Sequence, residues 1–233
     1  MKNVMIYNRL DENLRYTDEV LTNSFKAQID NSLRLGWKVD DIIIGTNFDF
    51  EYNGVKNKPL TNVCRYNPFV NKFYGMLELM ETGVLSDDFW FHDQDNWQLH
   101  PFGFPEFTGE IGGCAYIATP EWNTASLLVK KTSKFVIEYI KEFCDLNQSH
   151  DLFSDENYMA FIRQQPAVTE YLTTLNNTYN VGKTHIQHRF AAATKPIHVI
   201  GCQPQIDKST RPFYDRGLID NELNQIFKKY FKL

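Results

Sequence analysis

Two aspartates separated by one residue, Asp93 and Asp95, are the side chains in this sequence best suited to chemistry. They follow an aromatic run, Phe89-Trp90-Phe91, that is too apolar for a surface loop and predicts a buried strand. Side chains two positions apart on an extended segment point to the same face, so both carboxylates can reach one ion. Mg²⁺ and Mn²⁺ bind through one or two carboxylates together with substrate phosphates. The pattern predicts a divalent cation held for a phosphorylated substrate; the alternative is a pair of solvated acids in a turn.

Hydrophobic periodicity and capping residues predict alternating strands and helices ahead of this pair. In chain order these are a strand over residues 4–7, a helix over 18–35, a strand over 39–46, a turn at Asn53-Gly54, a short strand over 61–65, a helix over 71–82 and the strand that begins at Phe89. This alternation predicts the α/β class, with a mixed, mostly parallel sheet flanked by helices. Ligands of such sheets bind beyond the carboxyl ends of the strands, where Asp93 and Asp95 fall.

The second half of the chain has a less regular pattern. It predicts strands over 111–119 and 124–130, helices from Thr132 or Ser133 to 145 and over 154–164, a strand over 197–200 and a closing helix over 221–231. No internal repeat or linker is evident. The sequence therefore predicts one domain over 1–233, with 201–233 as a C-terminal extension that ends in a helix.

The composition limits the class of protein. A chain of 233 residues with 42% hydrophobic residues can build a substantial core. The net charge of −5 with dispersed basic residues does not favour a polyanionic partner. Four cysteines show no zinc-ligand spacing and predict buried thiols in a reducing compartment. The start is too briefly apolar for a signal peptide and no segment reaches the roughly 18 apolar residues of a membrane span, so the expected location is the cytoplasm.

With these elements in place, the chain resembles the GT-A glycosyltransferases, particularly the glycogenin-like and bacterial galactosyltransferase-like enzymes. The resemblance covers roughly residues 3 to 200. The strand ending in Asp93-Gln94-Asp95 looks like the metal motif of that family, and the run from Asn123 to Lys130 is similar to its next conserved strand. The segment from His188 to Lys195-Pro196 looks like the family's His-x-x-Gly-x-x-Lys-Pro motif, with one extra residue and an alanine in place of the glycine.

The resemblance implies a metal-dependent transferase that moves a sugar from a nucleotide diphosphate sugar, with a UDP-sugar as the expected donor, to an acceptor hydroxyl. It implies Mn²⁺ or Mg²⁺ as cofactor, with Asp93, Asp95 and His188 as ligands and Lys195 donating to the diphosphate. His185 and His198 are alternatives to His188 as the third ligand. Imidazole binds manganese, and an ammonium offsets charge on a departing diphosphate.

The other candidate site residues have structural alternatives. Lys72 stands where related enzymes keep a basic residue near the donor, or is an ordinary exposed helix lysine. Tyr7 could stack on the base and Asn8 bond it, or Tyr7 could belong to the core. Asp155 and Glu156 could deprotonate or orient the acceptor hydroxyl, or could simply stabilise a helix N-terminus.

Partner and function class are less constrained by the sequence. The expected acceptor is a glycan or a lipid-linked saccharide, and a hydroxymethylated base of phage or viral DNA is an alternative. The helix over 221–231 carries lysines beside aromatic residues and could contact a membrane surface. A different class is a metal-dependent phosphoesterase that recruits His92, His100 and Asp87, and a third is a non-catalytic carbohydrate-binding module.

Gly112-Gly113 could let an acceptor approach the backbone closely. The alternative is a tight turn before a strand.

Overall fold

The computed structural model describes residues 1–10, 18–116, 121–148, 154–180, 198–201 and 219–231. The strands are β1 (Lys2–Tyr7), β2 (Ile42–Thr46), β3 (Glu51–Tyr52), β4 (Val55–Lys56), β5 (Lys58–Pro59), β6 (Phe89–His92), β7 (Asn96–Gln98), β8 (Ile111–Ala115), β9 (Trp122–Val129), β10 (Leu172–Leu175) and β11 (Val199–Gly201). The helices are α1 (Asp18–Arg34), α2 (Asn71–Glu81), α3 (Lys134–Leu146), α4 (Asp155–Ile162) and α5 (Asn221–Phe231).

A seven-stranded sheet in the order β10-β8-β9-β6-β1-β2-β5 forms the centre of the fold. Its pairs are parallel except where β9 runs antiparallel to both β6 and β8. The start of β9 therefore lies at the same edge as the carboxyl ends of β1, β2 and β6. The predicted mixed, mostly parallel sheet with flanking helices is confirmed.

Both faces of the sheet are buried, which explains the near-continuous apolar strands. Side chains of β6 alternate: Phe89 and Phe91 pack into the cluster formed with α2, α3 and α4, whereas Trp90 lies in a separate cluster. In β1, Val4 faces the first cluster and Met5 packs with α1.

Two predicted strands differ from the structure. The segment over 39–46 begins with a 3₁₀ turn, Val39–Asp41, before β2. Residues 61–65 form no strand, because the Glu78 carboxylate accepts hydrogen bonds from the amides of Thr61 and Asn62 at 2.8–3.0 Å. These amides are thus unavailable to a sheet ladder.

The predicted turn at Asn53-Gly54 is confirmed. Both residues have positive φ, 48° and 81°, and they join β3 to β4. Positive φ at both central residues is the requirement of the type I′ hairpin turn, which favours Asn-Gly.

The closing helix α5 packs on its own domain. Leu223 and Phe227 are fully buried against a cluster that includes Ala27 of α1 and Trp97 of β7. On the same side, Lys229 pairs with Asp30 of α1 at 2.9 Å. The aromatic face of α5, which the sequence analysis considered for contact with a membrane surface, is thus turned largely towards α1 and β7. In the described part of the chain, no helix is both long and apolar enough to cross a membrane.

Candidate active site

The two aspartates lie beyond the carboxyl end of β6, where the sequence placed them. The strand ends at His92, and the amide of Asp93 donates to the Ala125 carbonyl of β9 at 2.8 Å. A hydrogen bond from the amide of Asn96 to the Asp93 carbonyl, 3.0 Å, then closes a turn that contains Asp95.

Strand alternation is not what brings the carboxylates together, because the chain turns between them. The proximity nevertheless has an electrostatic consequence. Burial raises the pKa of Asp93 to about 7, Asp95 and Asp155 add to the increase, and Lys72 opposes it. About a third of the Asp93 side chain stays exposed (34%), so the group is open to a ligand on one side and enclosed on the others. The repulsion between the charged forms of Asp93 and Asp95 is relieved when a cation binds between them.

Lys72, near the start of α2, is buried beneath these acids, with 7% of its side chain exposed. Its ammonium lies 2.7 Å from an Asp155 oxygen and 3.1 Å from both carboxylate oxygens of Asp93. Burial alone would lower the pKa of Lys72, but the neighbouring charges of Asp155 and Asp93 raise it above its usual value. The alternative of an ordinary exposed helix lysine is wrong.

Asp155 is the first residue of α4 and is itself buried, at 5% exposure. It accepts a hydrogen bond from the Thr124 hydroxyl in addition to its pair with Lys72. Burial would raise its pKa, but Lys72 and the hydrogen bond from Thr124 hold the pKa of this carboxyl below its ordinary value. Ser154 caps the helix, accepting from the Asn157 amide at 3.3 Å. Asp155 therefore serves mainly as the counter-ion of Lys72.

Glu156 is more accessible than Asp155 and faces a different partner. The Tyr116 hydroxyl donates to the Glu156 carboxylate at 3.4 Å. The same hydroxyl accepts from the side-chain nitrogen of Asn123, Nδ2, at 2.6 Å. Burial and the adjacent Asp155 raise the pKa of Glu156. A partly buried carboxylate with a raised pKa is a stronger base than an ordinary glutamate, which suits it to proton transfer.

A register shift in β9 assembles this cluster. Leu127 pairs with Gly113 of β8, but the next β8 residue, Cys114, pairs with Asn123. The residues between, including Thr124, leave β8 and extend along β6 towards Lys72. Such bulges redirect side chains and are common beside active sites.

Four of the six histidines, His92, His185, His188 and His198, divide into three groups. His92 is buried, and its ring nitrogens face Asn3 Oδ1 at 2.8 Å and the carbonyls of Asp93 and Asn96 at 3.0 and 3.1 Å. His198 precedes β11 at the end remote from Asp95, and its ring stacks on Tyr179. The structure does not bring His198 to the acids. His185, His188 and Lys195 lie outside the described residues, so their roles stay predictions.

The residues that the structure describes do not by themselves supply a full set of metal ligands. Among them, no group of three or more His, Cys, Asp or Glu side chains is arranged to hold a metal ion. Asp93 and Asp95 supply two carboxylates of the predicted set. The predicted third ligand, His188, belongs to the part of the chain outside the description.

The predicted nucleoside residues lie at the same edge of the sheet. Tyr7 ends β1, pairs with Thr46 and packs partly against the α1 face of the sheet. Asn8 follows at 6% exposure, and its amide nitrogen lies 3.5 Å from the Asn62 carbonyl. Its Oδ1 atom is buried and has no hydrogen-bond partner within the described ranges. Buried polar atoms are almost always paired, so an orphaned acceptor here suits a ligand donor.

Gly112 and Gly113 serve packing, not acceptor access. Both lie within β8, so they form no turn before it. A Cβ on Gly112 would lie 2.6 Å from Leu175, and one on Gly113 would lie 2.4 Å from the Trp122 ring. The expectation that an acceptor approaches the backbone at these glycines is wrong, because the side chains of Leu175 and Trp122 already fill the space beside them.

Replacing Gly113 by Ala should lower the free energy of unfolding by about 1–3 kcal/mol, because the added methyl overlaps the buried Trp122 ring. Urea denaturation monitored by tryptophan fluorescence measures the change. Gly103→Ala is the matched control, since nothing lies within 4 Å of its added Cβ. Equal stabilities of the two variants would contradict this packing role.

Sequence reasoning missed two polar residues of this region, Thr124 and Gln28. Gln28 lies in α1 at 1% exposure. Its position between Phe25 and Ile29, on the apolar side of a predicted helix, is a signal that could have identified it, because a buried amide requires partners. Thr124 carries no comparable signal, since its contact depends on the register shift in β9.

Comparison with known proteins identifies the fold. No family model matches the chain, and no curated protein matches it in sequence. Solved structures match over nearly the whole chain. The glycosyltransferase GlyE of Streptococcus pneumoniae aligns with 99% of this chain at a TM-score of 0.60 and 10% identity, and the chain spans 64% of GlyE.

Two further structures match over their full length. A glycosyltransferase involved in glycosylation of the major capsid of PBCV-1 aligns with 93% of this chain at a TM-score of 0.57 and 8% identity. The galactosyltransferase LgtC, in complex with donor and acceptor sugar analogues, aligns with 97% at a TM-score of 0.53 and 11% identity. Identities this low establish the fold alone, and the chain has the GT-A glycosyltransferase fold.

Proposed function

We propose that this chain is a metal-dependent glycosyltransferase that moves a sugar from a nucleotide diphosphate sugar, with a UDP-sugar as donor, to a hydroxyl of a glycan or glycolipid. The observation that best supports this function is the group of acids at the carboxyl edge of the sheet. Asp93 and Asp95 share a turn there, and Lys72 with Asp155 forms a buried ion pair directly beneath.

The residues present fit a divalent cation. The carboxylate of Asp93 is destabilised by burial and by Asp95, so its pKa rises even with Lys72 beside it. Hard cations take carboxylate oxygens and keep positions for phosphate oxygens and water. Asp93 and Asp95 would hold Mn²⁺ or Mg²⁺, with His188 as the proposed third ligand. When bound, the ion acts as a Lewis acid that neutralises charge on the diphosphate.

The chain's own side chains would orient the donor around this point. Lys72 is proposed to act on the donor through the charge of its ammonium, which Asp155 and Asp93 hold in place beside the site. Lys195 is proposed to donate to the departing diphosphate. The unpartnered Oδ1 of Asn8 can accept from an N–H of the base, with Tyr7 beside it at the end of β1.

The acceptor hydroxyl is assigned to Glu156 rather than to Asp155. Asp155 is enclosed by Lys72 and Thr124, whereas Glu156 is only partly buried and has a raised pKa. Glu156 can therefore orient the incoming hydroxyl or accept its proton. The complex of LgtC with sugar analogues of both substrates supports a saccharide acceptor for a protein of this fold.

The phosphoesterase alternative loses one of its two candidate histidines, His92. That chemistry needs additional ligands around a second metal. His92 is fully buried, with its ring nitrogens directed at Asn3 and at backbone carbonyls. It is therefore a structural residue.

The decisive experiment measures UDP release from a panel of UDP-sugars, with and without Mn²⁺, in the presence of oligosaccharide acceptors. We expect release that depends on Mn²⁺, is abolished by EDTA and is selective for one sugar. Hydrolysis of bis(p-nitrophenyl) phosphate, measured in parallel, tests the phosphoesterase. Phosphodiester hydrolysis without sugar transfer would overturn the proposal, and failure to bind any nucleotide would favour a carbohydrate-binding module.

A further inference from the structure

The turn that carries the two acids is held from behind by side chains of other elements. The side-chain nitrogen of Gln28, Nε2, donates to the backbone carbonyl of Gln94 at 2.7 Å and to the backbone carbonyl of Asn96 at 2.9 Å. The Asp93 carbonyl accepts from the Asn96 amide and faces the His92 ring at 3.0 Å. Buried partners thus anchor the three carbonyls of residues 93, 94 and 96.

These contacts determine how the backbone directs the two acidic side chains. A peptide group is planar, so fixing its carbonyl oxygen fixes the rotation on both sides of the plane. The Asp93 carbonyl sets ψ of Asp93 and φ of Gln94, while the Gln94 carbonyl sets ψ of Gln94 and φ of Asp95. These are the four backbone rotations that separate the two acidic side chains. Gln28 controls the second peptide plane, next to Asp95.

Gln28 is well suited to hold this position. It lies in the middle of α1 at 1% exposure, and its amide nitrogen has two hydrogens for the two carbonyls. The helix that carries it is in turn fixed by α5, for example through Ala27 in the cluster with Trp97.

We propose that Gln28 is a positioning residue for the Asp93 and Asp95 pair, and that it sets the affinity of the site for a divalent cation by holding both carboxylates in one orientation. The inference rests on the proposed function, since it requires the acids to bind the cation. Groups that hydrogen-bond to metal ligands typically contribute about 10- to 100-fold in metal affinity, and we expect an effect of this order for Gln28, which holds the backbone beside both ligands.

The test compares two variants of the same helix. Gln28→Met keeps the side-chain length and removes the N–H groups. Asn31→Leu is the matched control, because Asn31 is equally buried and donates to the Gln98 carbonyl of β7 at 3.0 Å, beyond the turn. Binding of Mn²⁺ alone is measured by loss of the free-ion EPR signal, well below the unfolding temperature of each protein.

We expect Gln28→Met to bind Mn²⁺ about 10- to 100-fold more weakly than wild type, and Asn31→Leu to stay within about twofold, although both lose thermal stability. If Gln28→Met does not fold, Gln28→Asn replaces it; its shorter amide cannot span both carbonyls and should also weaken binding.

Two results would overturn the inference. One is wild-type Mn²⁺ affinity in a folded Gln28 variant, which would leave the proposed function intact. The other is equal weakening in Asn31→Leu, which would show a general effect of loosening α1. Absence of Mn²⁺ binding to wild-type protein would instead remove the metal from the proposed function, and this inference with it.

Discussion

Replacing Asp95 by Ala should reduce sugar transfer on the order of a hundredfold or more at limiting Mn²⁺, while the protein stays folded. Loss of a cation ligand removes several kcal/mol of charge stabilisation in the transition state, and each 1.4 kcal/mol is about tenfold in rate. Stability should change far less than the rate, because Asp95 is only partly buried. Initial rates of UDP release across a Mn²⁺ titration, together with urea denaturation, measure both quantities.

Asp87→Ala provides the control for this experiment. Asp87 is an exposed acid that precedes β6, and the phosphoesterase alternative would recruit it. Its removal should leave sugar transfer unchanged. A near-normal rate for Asp95→Ala at limiting Mn²⁺ would be incompatible with a cation held by this pair.

Replacing Lys72 by Met should destabilise the protein by about 3–5 kcal/mol, the cost of leaving a buried charge without its partner. Asp155 would then be left at 5% exposure beside Asp93, without the ammonium that offsets its charge. Because the acids lose their ammonium, Mn²⁺ should raise the melting temperature of this variant more than that of wild type. Urea denaturation and thermal unfolding with and without Mn²⁺ provide the measurements.

The ion pair itself can be isolated by a second substitution. In the double variant with Asp155→Asn, the uncompensated charge is removed, and most of the lost stability should return. Lys134→Met is the surface control: this lysine is 47% exposed and pairs with Glu138 at 3.4 Å, so its loss should cost less than about 1 kcal/mol. A Lys72→Met protein as stable as Lys134→Met would refute the buried pair.

The local pattern of the sequence was sufficient to place Asp93 and Asp95. The aromatic run predicts β6 because alternate residues must fill both faces of a buried sheet, and the acids can only follow where that burial ends. Asn53-Gly54 predicted its turn for an equally local reason, the positive φ that both residues adopt readily. The order of the longer strands and helices was also predictable, since periodicity is a property of neighbouring residues, whereas the short strands β5, β7 and β10 were not predicted.

The partners of these acids could not be found in this way. Lys72 and Asp155 are distant in sequence and meet only because α2, α4 and the displaced part of β9 converge at one edge of the sheet. The strand predicted over 61–65 was wrong for the same reason, because Glu78 of α2 takes its amides. Periodicity carries no information about which element lies beside which.

The sequence by itself therefore determined that a pair of carboxylates ends a buried strand of an α/β protein. Only the tertiary structure decided that a turn, backed by Gln28, brings them together and that Lys72 and Asp155 neutralise each other beneath them. The physical reason is the range of the interactions: burial and turn conformation depend on adjacent residues, whereas ion pairs and carbonyl contacts depend on strand order and on the packing of helices.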